Sequence, residues 1–170
     1  MATSLSMPEK GRIDRALHNE EVCNLLATTK FKDWVVATAF YSALHFVRHK
    51  IFPIKKKTEK GEPLKIESFN QYAKVFNPKQ LGKHELILDL VRTECPEAYA
   101  DYLWLFNTCM NARYHDFKTS ERVAQKTVEK LQVIKELCTQ PAIPAVKVAK
   151  IAASMTAAST ANSAPANVKE

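Results

Sequence analysis

The segment from residue 32 to residue 45 is apolar almost all the way round a helix, and its sequence is KDWVVATAFYSALH. A helix that is apolar on every side is stable in water only when other helices surround it. The segment is therefore predicted to be the central helix of a bundle. Its few polar side chains follow a helical spacing and form a thin polar stripe at Thr38, Ser42, His45 and His49.

The rest of the chain indicates the same fold class. Its 170 residues include 3 Gly and 8 Pro, and long segments with helical apolar spacing are separated by short breaks. This pattern predicts an all-α protein. The length suits one domain of about 100–150 residues with a tail. We expect a flexible N-terminus at 1–11, a helical bundle at 12–140, and a disordered, low-complexity Ala/Ser/Thr tail at 141–170.

Two helices are expected to form the N-terminal part of the bundle. The first runs over about 13–28 and is joined to the central helix by a short, tight connection. Its apolar face is assigned to Ile13, Leu17, Val22, Leu25 and Leu26, and its outer face to Glu20 and Glu21. Asp33 is the expected N-cap of the central helix, which ends before Pro53 because the residue before a proline disfavours the α region.

A long polar connection follows the central helix, and loops of this size inside a domain are often functional. A short helix is predicted to begin at Ser68 within it. Further helices are predicted from Lys79 or Lys83 to Thr93 and from Pro96 or Glu97 onward. The last helix is expected to start at Thr119 or Ser120 and to stop at Pro141.

The protein is basic, with a formal net charge of +7 and a pI near 9.2, which favours weak attraction to polyanions. Much of this charge lies in one connection, at Lys50, Lys55, Lys56, Lys57, Lys60 and Lys65. Glu59 and Glu62 partly offset this positive charge. The region also lacks the pattern of aromatic residues between basic ones that stacks on bases. Both a solvated neutral loop and a polyanion contact fit this composition.

The four cysteines lie far apart in sequence, without a CxxC pair, which favours neither a zinc site nor a disulfide framework. A metal site built from His45, His84 and His115 lacks a supporting spacing, so we expect neither a metal nor a cofactor. The N-terminus has no apolar secretory core, and no run of about 18 apolar residues occurs. These features predict a cytoplasmic protein that does not bind a membrane.

Three motifs resemble the HEPN superfamily: DW followed by FYSALH over residues 33–45, His84 at the start of a later helix, and ARY at 112–114. The resemblance covers about residues 12–138. It implies an up-and-down bundle of four or five helices that forms a homodimer. Members include RNA-cutting toxins and defence proteins, and non-catalytic versions that bind nucleotides or partners. A nucleotidyltransferase or an antitoxin is the kind of protein partner that the resemblance implies.

The chain departs from the motif of the catalytic members, which have an Arg, four to six intervening residues and then a His in a late helix. Only Tyr114 separates Arg113 from His115. Arg12 and His18 match the spacing, but six residues of helix turn their side chains about 240° apart, so we treat the match as chance.

Each candidate residue has a structural and a functional interpretation. His45 fits either a hydrogen-bonded core histidine or a ligand-binding group. His84 fits a residue that flanks its helix start, and His115 an exposed helix-end residue. Arg113 continues an apolar stripe, so a buried guanidinium would need a carboxylate, backbone carbonyls, a partner subunit or a phosphate. Together, Tyr41, His45, His84, Arg113 and Tyr114 would form an anion or nucleotide pocket between helices.

The sequence therefore favours a non-catalytic HEPN-like module that binds RNA, a nucleotide or a protein partner. The alternative is a divergent, metal-independent endoribonuclease of the toxin or defence type. It would use Arg113 with His115 or His45, the histidine acting on the ribose 2′-hydroxyl and the arginine on the phosphate. A purely structural bundle that binds a partner, with Arg113 in an internal ion pair, is a third interpretation.

Overall fold

The computed structural model describes residues 9–77, 80–115 and 118–140. Its elements belong to one unit that ends at Thr139. In chain order they are α1 (Glu9–Ala27), α2 (Lys32–Ile51), β1 (Ile54–Lys57), β2 (Pro63–Ile66), α3 (Phe69–Val75), α4 (Lys83–Glu94), α5 (Pro96–Tyr114) and α6 (Glu121–Thr139). The predicted all-α bundle is confirmed, with one small antiparallel sheet added to it.

Helix α2 is the centre of the bundle, as its all-round apolar sequence predicts. It packs against α1, α5 and α6, and it ends at Ile51, before the proline. Helix α1 lies antiparallel to it, because Ser42 Oγ donates to the carbonyl of Ala16 at 2.7 Å while Cys23 lies beside Val35 nearer the other end. Ser42, one of the predicted polar stripe, is therefore a buried contact between two helices.

The buried face of α1 matches the assigned one only in part: Ile13 and Leu26 pack against the core as expected. Leu17 and Leu25 are 44% and 69% exposed, whereas Ala16 and Cys23 are buried. Glu20, expected on the outer face, is only 6% exposed, and its carboxylate accepts hydrogen bonds from Lys135 and Gln132 on α6. Small side chains let α1 approach α2 closely, and a polar residue is buried at low cost when partners satisfy it.

Most helix boundaries lie close to their predicted positions. Ser68 is the N-cap of α3, where its hydroxyl accepts a hydrogen bond from the amide of Gln71, and Pro96 opens α5. The hydroxyl of Ser120 accepts from the amide of Val123 in the first turn of α6. These capping and proline signals act within a few residues, and at these three positions the structure agrees with them.

Two predicted boundaries differ. Asp33 is not the N-cap of α2, because the helix begins one residue earlier, at Lys32. The carbonyl of Phe31 accepts hydrogen bonds from the amides of Trp34 and Val35, so Asp33 lies in the first turn. Helix α1 begins at Glu9, so residues 9–11 of the expected flexible N-terminus are helical. Residues 1–8 of that segment, and the expected tail at 141–170, lie outside the described residues.

The long connection after α2, predicted as a polar connection without strands, contains a β-hairpin. Strands β1 and β2 are antiparallel, with Ile54 opposite Ile66 and Lys55 opposite Lys65. Ile66 is fully buried, and Gly61 takes the positive φ of +80° that the turn requires. The hairpin forms because Ile54 and Ile66 on one face pack against the bundle, a tertiary contact that a lysine-rich sequence conceals.

Within the described ranges, no helix is long and apolar enough to cross a membrane.

Candidate functional site

Arg113 lies in the last turn of α5 and is the centre of the candidate site. Because α5 runs antiparallel to α2, this turn lies beside the middle of α2, where Arg113 Nη1 donates to the hydroxyl of Tyr41 at 2.7 Å. The guanidinium carbon is 6.0 Å from the centre of the Tyr41 ring and 5.2 Å from that of Tyr114. The structure therefore brings together three of the five predicted pocket residues.

Arg113 is exposed, not buried as its position on an apolar stripe predicted. The stripe ends here at the edge of the bundle, so the guanidinium escapes the cost of burial and pairs with a phenol. Among the described residues no carboxylate forms an ion pair with it, and the neighbouring Tyr41 raises the pKa of Arg113 above its ordinary value. It is therefore a permanent, accessible positive charge.

An aromatic cluster around Phe40 supports this surface from below. The fully buried Phe40 ring lies 5.5 Å from Tyr41, 6.0 Å from His84, 5.8 Å from Tyr102 and 5.8 Å from Phe106, measured between ring centres. His84 is exposed in the first turn of α4, and its ring also lies 5.5 Å from Phe106. His84 thus flanks its helix start, as expected, and joins the candidate site through Phe40.

His45 lies one helical turn beyond Tyr41 on the same face of α2. It is partly buried, and burial together with the positive charges of Arg48 and Arg15 lowers the pKa of His45 from 6.5 to about 4. The imidazole is therefore uncharged at neutral pH. One of its nitrogens can donate a hydrogen bond and the other can accept one.

Trp34 and Arg48, which were not among the predicted site residues, extend this face of α2. Trp34 is 59% exposed, and the guanidinium carbon of Arg48 stacks 4.5 Å from the centre of the Phe69 ring. Residues three, four or seven positions apart lie on the same face of a helix. Trp34 lies seven residues before Tyr41, and Arg48 lies three residues after His45, so both share the face of the site. That spacing is the signal by which the sequence alone identifies the face.

His115 lies apart from Arg113. It is the exposed C-cap residue of α5, as expected, and it lines a cavity of about 530 Å³ with Trp104 and Asn111. Val123 of α6 also lines this cavity, whereas Arg113 contacts Tyr41 of α2, so Arg113 and His115 lie on different sides of α5.

Arg12 and His18, which match the spacing of the catalytic motif, have different surroundings. The Arg12 guanidinium donates to the backbone carbonyls of Phe52 and Glu67 at 3.0 and 3.3 Å, while His18 is exposed. Arg12 therefore ties α1 to the base of the hairpin.

The low pKa of His45 predicts a pH-dependent stability. In the unfolded chain His45 binds a proton near pH 6.5, but in the folded protein only near pH 4. The free energy of unfolding therefore contains the whole contribution of His45 above pH 6.5 and loses it as the pH falls toward 4. Allowing for solvent screening at this partly exposed site, we expect the free energy of unfolding to be about 1 kcal/mol lower at pH 5 than at pH 7.5.

Urea denaturation at these two pH values measures the effect. His45→Gln is expected to remove this part of the pH dependence, whereas His18→Gln, at an exposed histidine on α1, should retain it. An unchanged pH dependence in the His45 variant would show that other groups are responsible.

Comparison of the chain with protein-family models, with curated proteins and with solved structures found no match. The resemblance to the HEPN superfamily therefore stays a prediction from the three motifs.

Proposed function

We propose that the protein is a HEPN-like helical module that binds RNA or a nucleotide at Arg113, Tyr41 and Tyr114 without cutting it. The observation that carries this proposal is the exposed Arg113 guanidinium, which a phenol and an aromatic ring hold in place and no carboxylate among the described residues neutralises. A purely structural role would place this charge in an internal ion pair.

The chemistry of the site suits a phosphate next to a base. A guanidinium offers several N–H donors in a planar fork that matches two phosphate oxygens. The hydrogen bond to Tyr41 uses one nitrogen and orients the group, which reduces the entropy lost on binding. Tyr114 is 66% exposed and Trp34 is 59% exposed, so both rings are accessible for stacking with bases.

The histidines support binding more than cleavage. A general acid or base works best with a pKa near the operating pH, and His45, with a pKa of about 4, is a poor acid and a weak base at neutral pH. His115, the other histidine of the ribonuclease alternative, lies on a different side of α5 from Arg113. The homodimer, and a partner such as a nucleotidyltransferase or an antitoxin, stay predictions from the resemblance.

Retention of labelled total RNA on a gel, in EDTA, tests the proposal. We expect the unmodified protein to retain RNA intact and Arg113→Ala to weaken retention at least about tenfold, because a hydrogen bond to a charged group contributes about 1.5–3 kcal/mol. Arg122→Ala is the matched control, since Arg122 is also exposed but lies on α6. Tyr41→Phe, which keeps the ring and loses the hydroxyl, should have a smaller effect.

Three results would contradict the proposal. RNA cleavage that Arg113→Ala abolishes would establish a divergent ribonuclease. An equal effect of Arg113→Ala and Arg122→Ala would assign retention to overall charge. Neither retention nor cleavage would leave a bundle that binds only proteins.

A further inference from the structure

The β-hairpin turns part of the lysine-rich connection into an ordered surface. Side chains alternate between the two faces of a strand, and Lys55, Lys57 and Lys65 are exposed while Ile54 and Ile66 lie on the inner face. We refer to Lys55, Lys57 and Lys65 as the lysine face. Lys55 lies directly opposite Lys65 in the register, and Lys57 follows two residues later, about 7 Å along the strand.

The orientation of the hairpin is held by its inner face. Ile66 is fully buried, and Ile54 and Leu64 pack against the core. Lys56, whose side chain lies on this inner side, forms an ion pair with Glu94 at the end of α4. The lysine face is therefore kept toward solvent, since turning it inward would expose the isoleucines and bury charge.

The charges of the lysine face are poorly neutralised. Like charges directly opposite each other in a sheet are destabilising, as with Lys55 and Lys65. Lys65 pairs with Glu67 at 2.7 Å, but both groups are at least half exposed, so the pair contributes little. Within the described part of the chain, Lys55 and Lys57 form no ion pair, and the hairpin's other acidic residues, Glu59 and Glu62, lie in the turn.

We propose that the lysine face binds the phosphodiester backbone of single-stranded RNA. Lysine ammonium groups are point charges that attract phosphates without reading a sequence, and the three residues offer no aromatic ring or amide to recognise a base. The face also lacks the apolar side chains that insert into a membrane and the arginine forks that pair with carboxylates.

This inference rests on the proposed function and defines its ligand more closely. Tyr41 lies ten residues before the end of α2, which is about 15 Å of helix, and the hairpin begins beyond that end. A ligand that contacts both regions is therefore a strand of several nucleotides, not a single nucleotide.

Binding of a fluorescent oligouridylate over a range of salt concentrations tests the inference. The test variant combines Lys55→Gln, Lys57→Gln and Lys65→Gln. Each phosphate contact on a single strand contributes about 0.7 to the slope of log affinity against log salt, so we expect the slope to fall by about 2. At low salt the affinity should fall at least tenfold, while circular dichroism and the melting temperature show a folded protein.

The matched control removes three charges elsewhere, by Lys30→Gln, Lys74→Gln and Arg122→Gln, all at exposed positions outside the lysine face. We expect it to keep most of the slope. Equal losses in the two triple variants would overturn the inference in favour of diffuse charge. An unchanged slope in the hairpin variant would also overturn it. Loss of binding to phosphatidylserine vesicles, with RNA binding unchanged, would assign the face to membranes instead.

Arg113→Ala separates the two proposals in the same assay. If Arg113→Ala abolishes binding and the triple variant of the lysine face does not weaken it, the proposed function stands and the inference about the lysine face is wrong. If only the hairpin variant loses binding, the lysine face stands and the role of Arg113 is wrong. Failure of the unmodified protein to bind oligouridylate overturns the lysine-face inference, and the retention of total RNA then decides the proposed function separately.

Discussion

Replacement of Phe40 by alanine is expected to lower the free energy of unfolding by about 3–5 kcal/mol, the usual cost of emptying a buried aromatic site. Phe40 is fully buried in the central helix, with four aromatic rings around it. The surrounding helices cannot collapse into the space without moving α4 and α5. Urea denaturation at neutral pH measures the change.

Trp34→Ala is the control for Phe40→Ala, because it removes a larger aromatic ring from the same helix. Trp34 is 59% exposed, so its loss should cost less than about 1 kcal/mol. The contrast checks which side of α2 faces the core. Similar losses in the two variants would contradict the described packing. Phe40→Ala should also weaken RNA retention, since the Tyr41 and His84 rings rest on Phe40.

Glu20→Ala is expected to lower the free energy of unfolding by about 2 kcal/mol, within the range for hydrogen bonds to a charged group. The Glu20 carboxylate accepts from Gln132 Nε2 at 2.7 Å and from Lys135 Nζ at 2.8 and 2.9 Å, and these bonds join α1 to α6. The loss stays below that for a fully buried ion pair, because a third of the Lys135 side chain is exposed and water can solvate it.

Glu21→Ala provides the comparison for Glu20→Ala. Glu21 is the next residue of α1 and is exposed, so its replacement should change the free energy of unfolding by less than about 0.5 kcal/mol. Thermal melts of the two variants at one pH suffice. If Glu21→Ala were the more destabilising variant, the orientation of α1 described above would be wrong.

The pairing of α5 with α2 explains how distant residues form one candidate site. Tyr41 and Arg113 are 72 residues apart in sequence, and the antiparallel arrangement brings their polar groups within 2.7 Å. Phe40 and Phe106 fill the space beneath, so the polar groups lie at the surface of a rigid core. A site on packed helices holds its geometry better than one on loops.

Much of the fold follows from local signals in the sequence. Spacing, capping and proline rules predict the central position of α2, a short helix that begins at Ser68, and a helix that begins at Pro96 or Glu97. In the structure Ser68 is the N-cap of α3, and α5 begins at Pro96. The motifs at 33–45 and 112–114 also directed attention to Tyr41, Arg113 and Tyr114, which the structure brings into contact.

Other features required the tertiary structure because they depend on neighbours far along the chain. The hairpin exists because the core covers Ile54 and Ile66, and the lysine face has its orientation for the same reason. A sequence in which lysines outnumber apolar residues does not show which of them the core selects. The environment of His45 likewise depends on Arg15, thirty residues earlier.

The all-α class, the central helix and most helix boundaries follow from the sequence alone, because periodicity and capping act within a few residues. The packing of distant elements sets which residues of α1 are buried, which partners Glu20 has, and whether the Arg113 guanidinium is buried or exposed. These features cannot be read locally, because the cost of burying a polar group depends on partners supplied by other elements. A charged side chain among apolar residues is therefore ambiguous until those elements are in place.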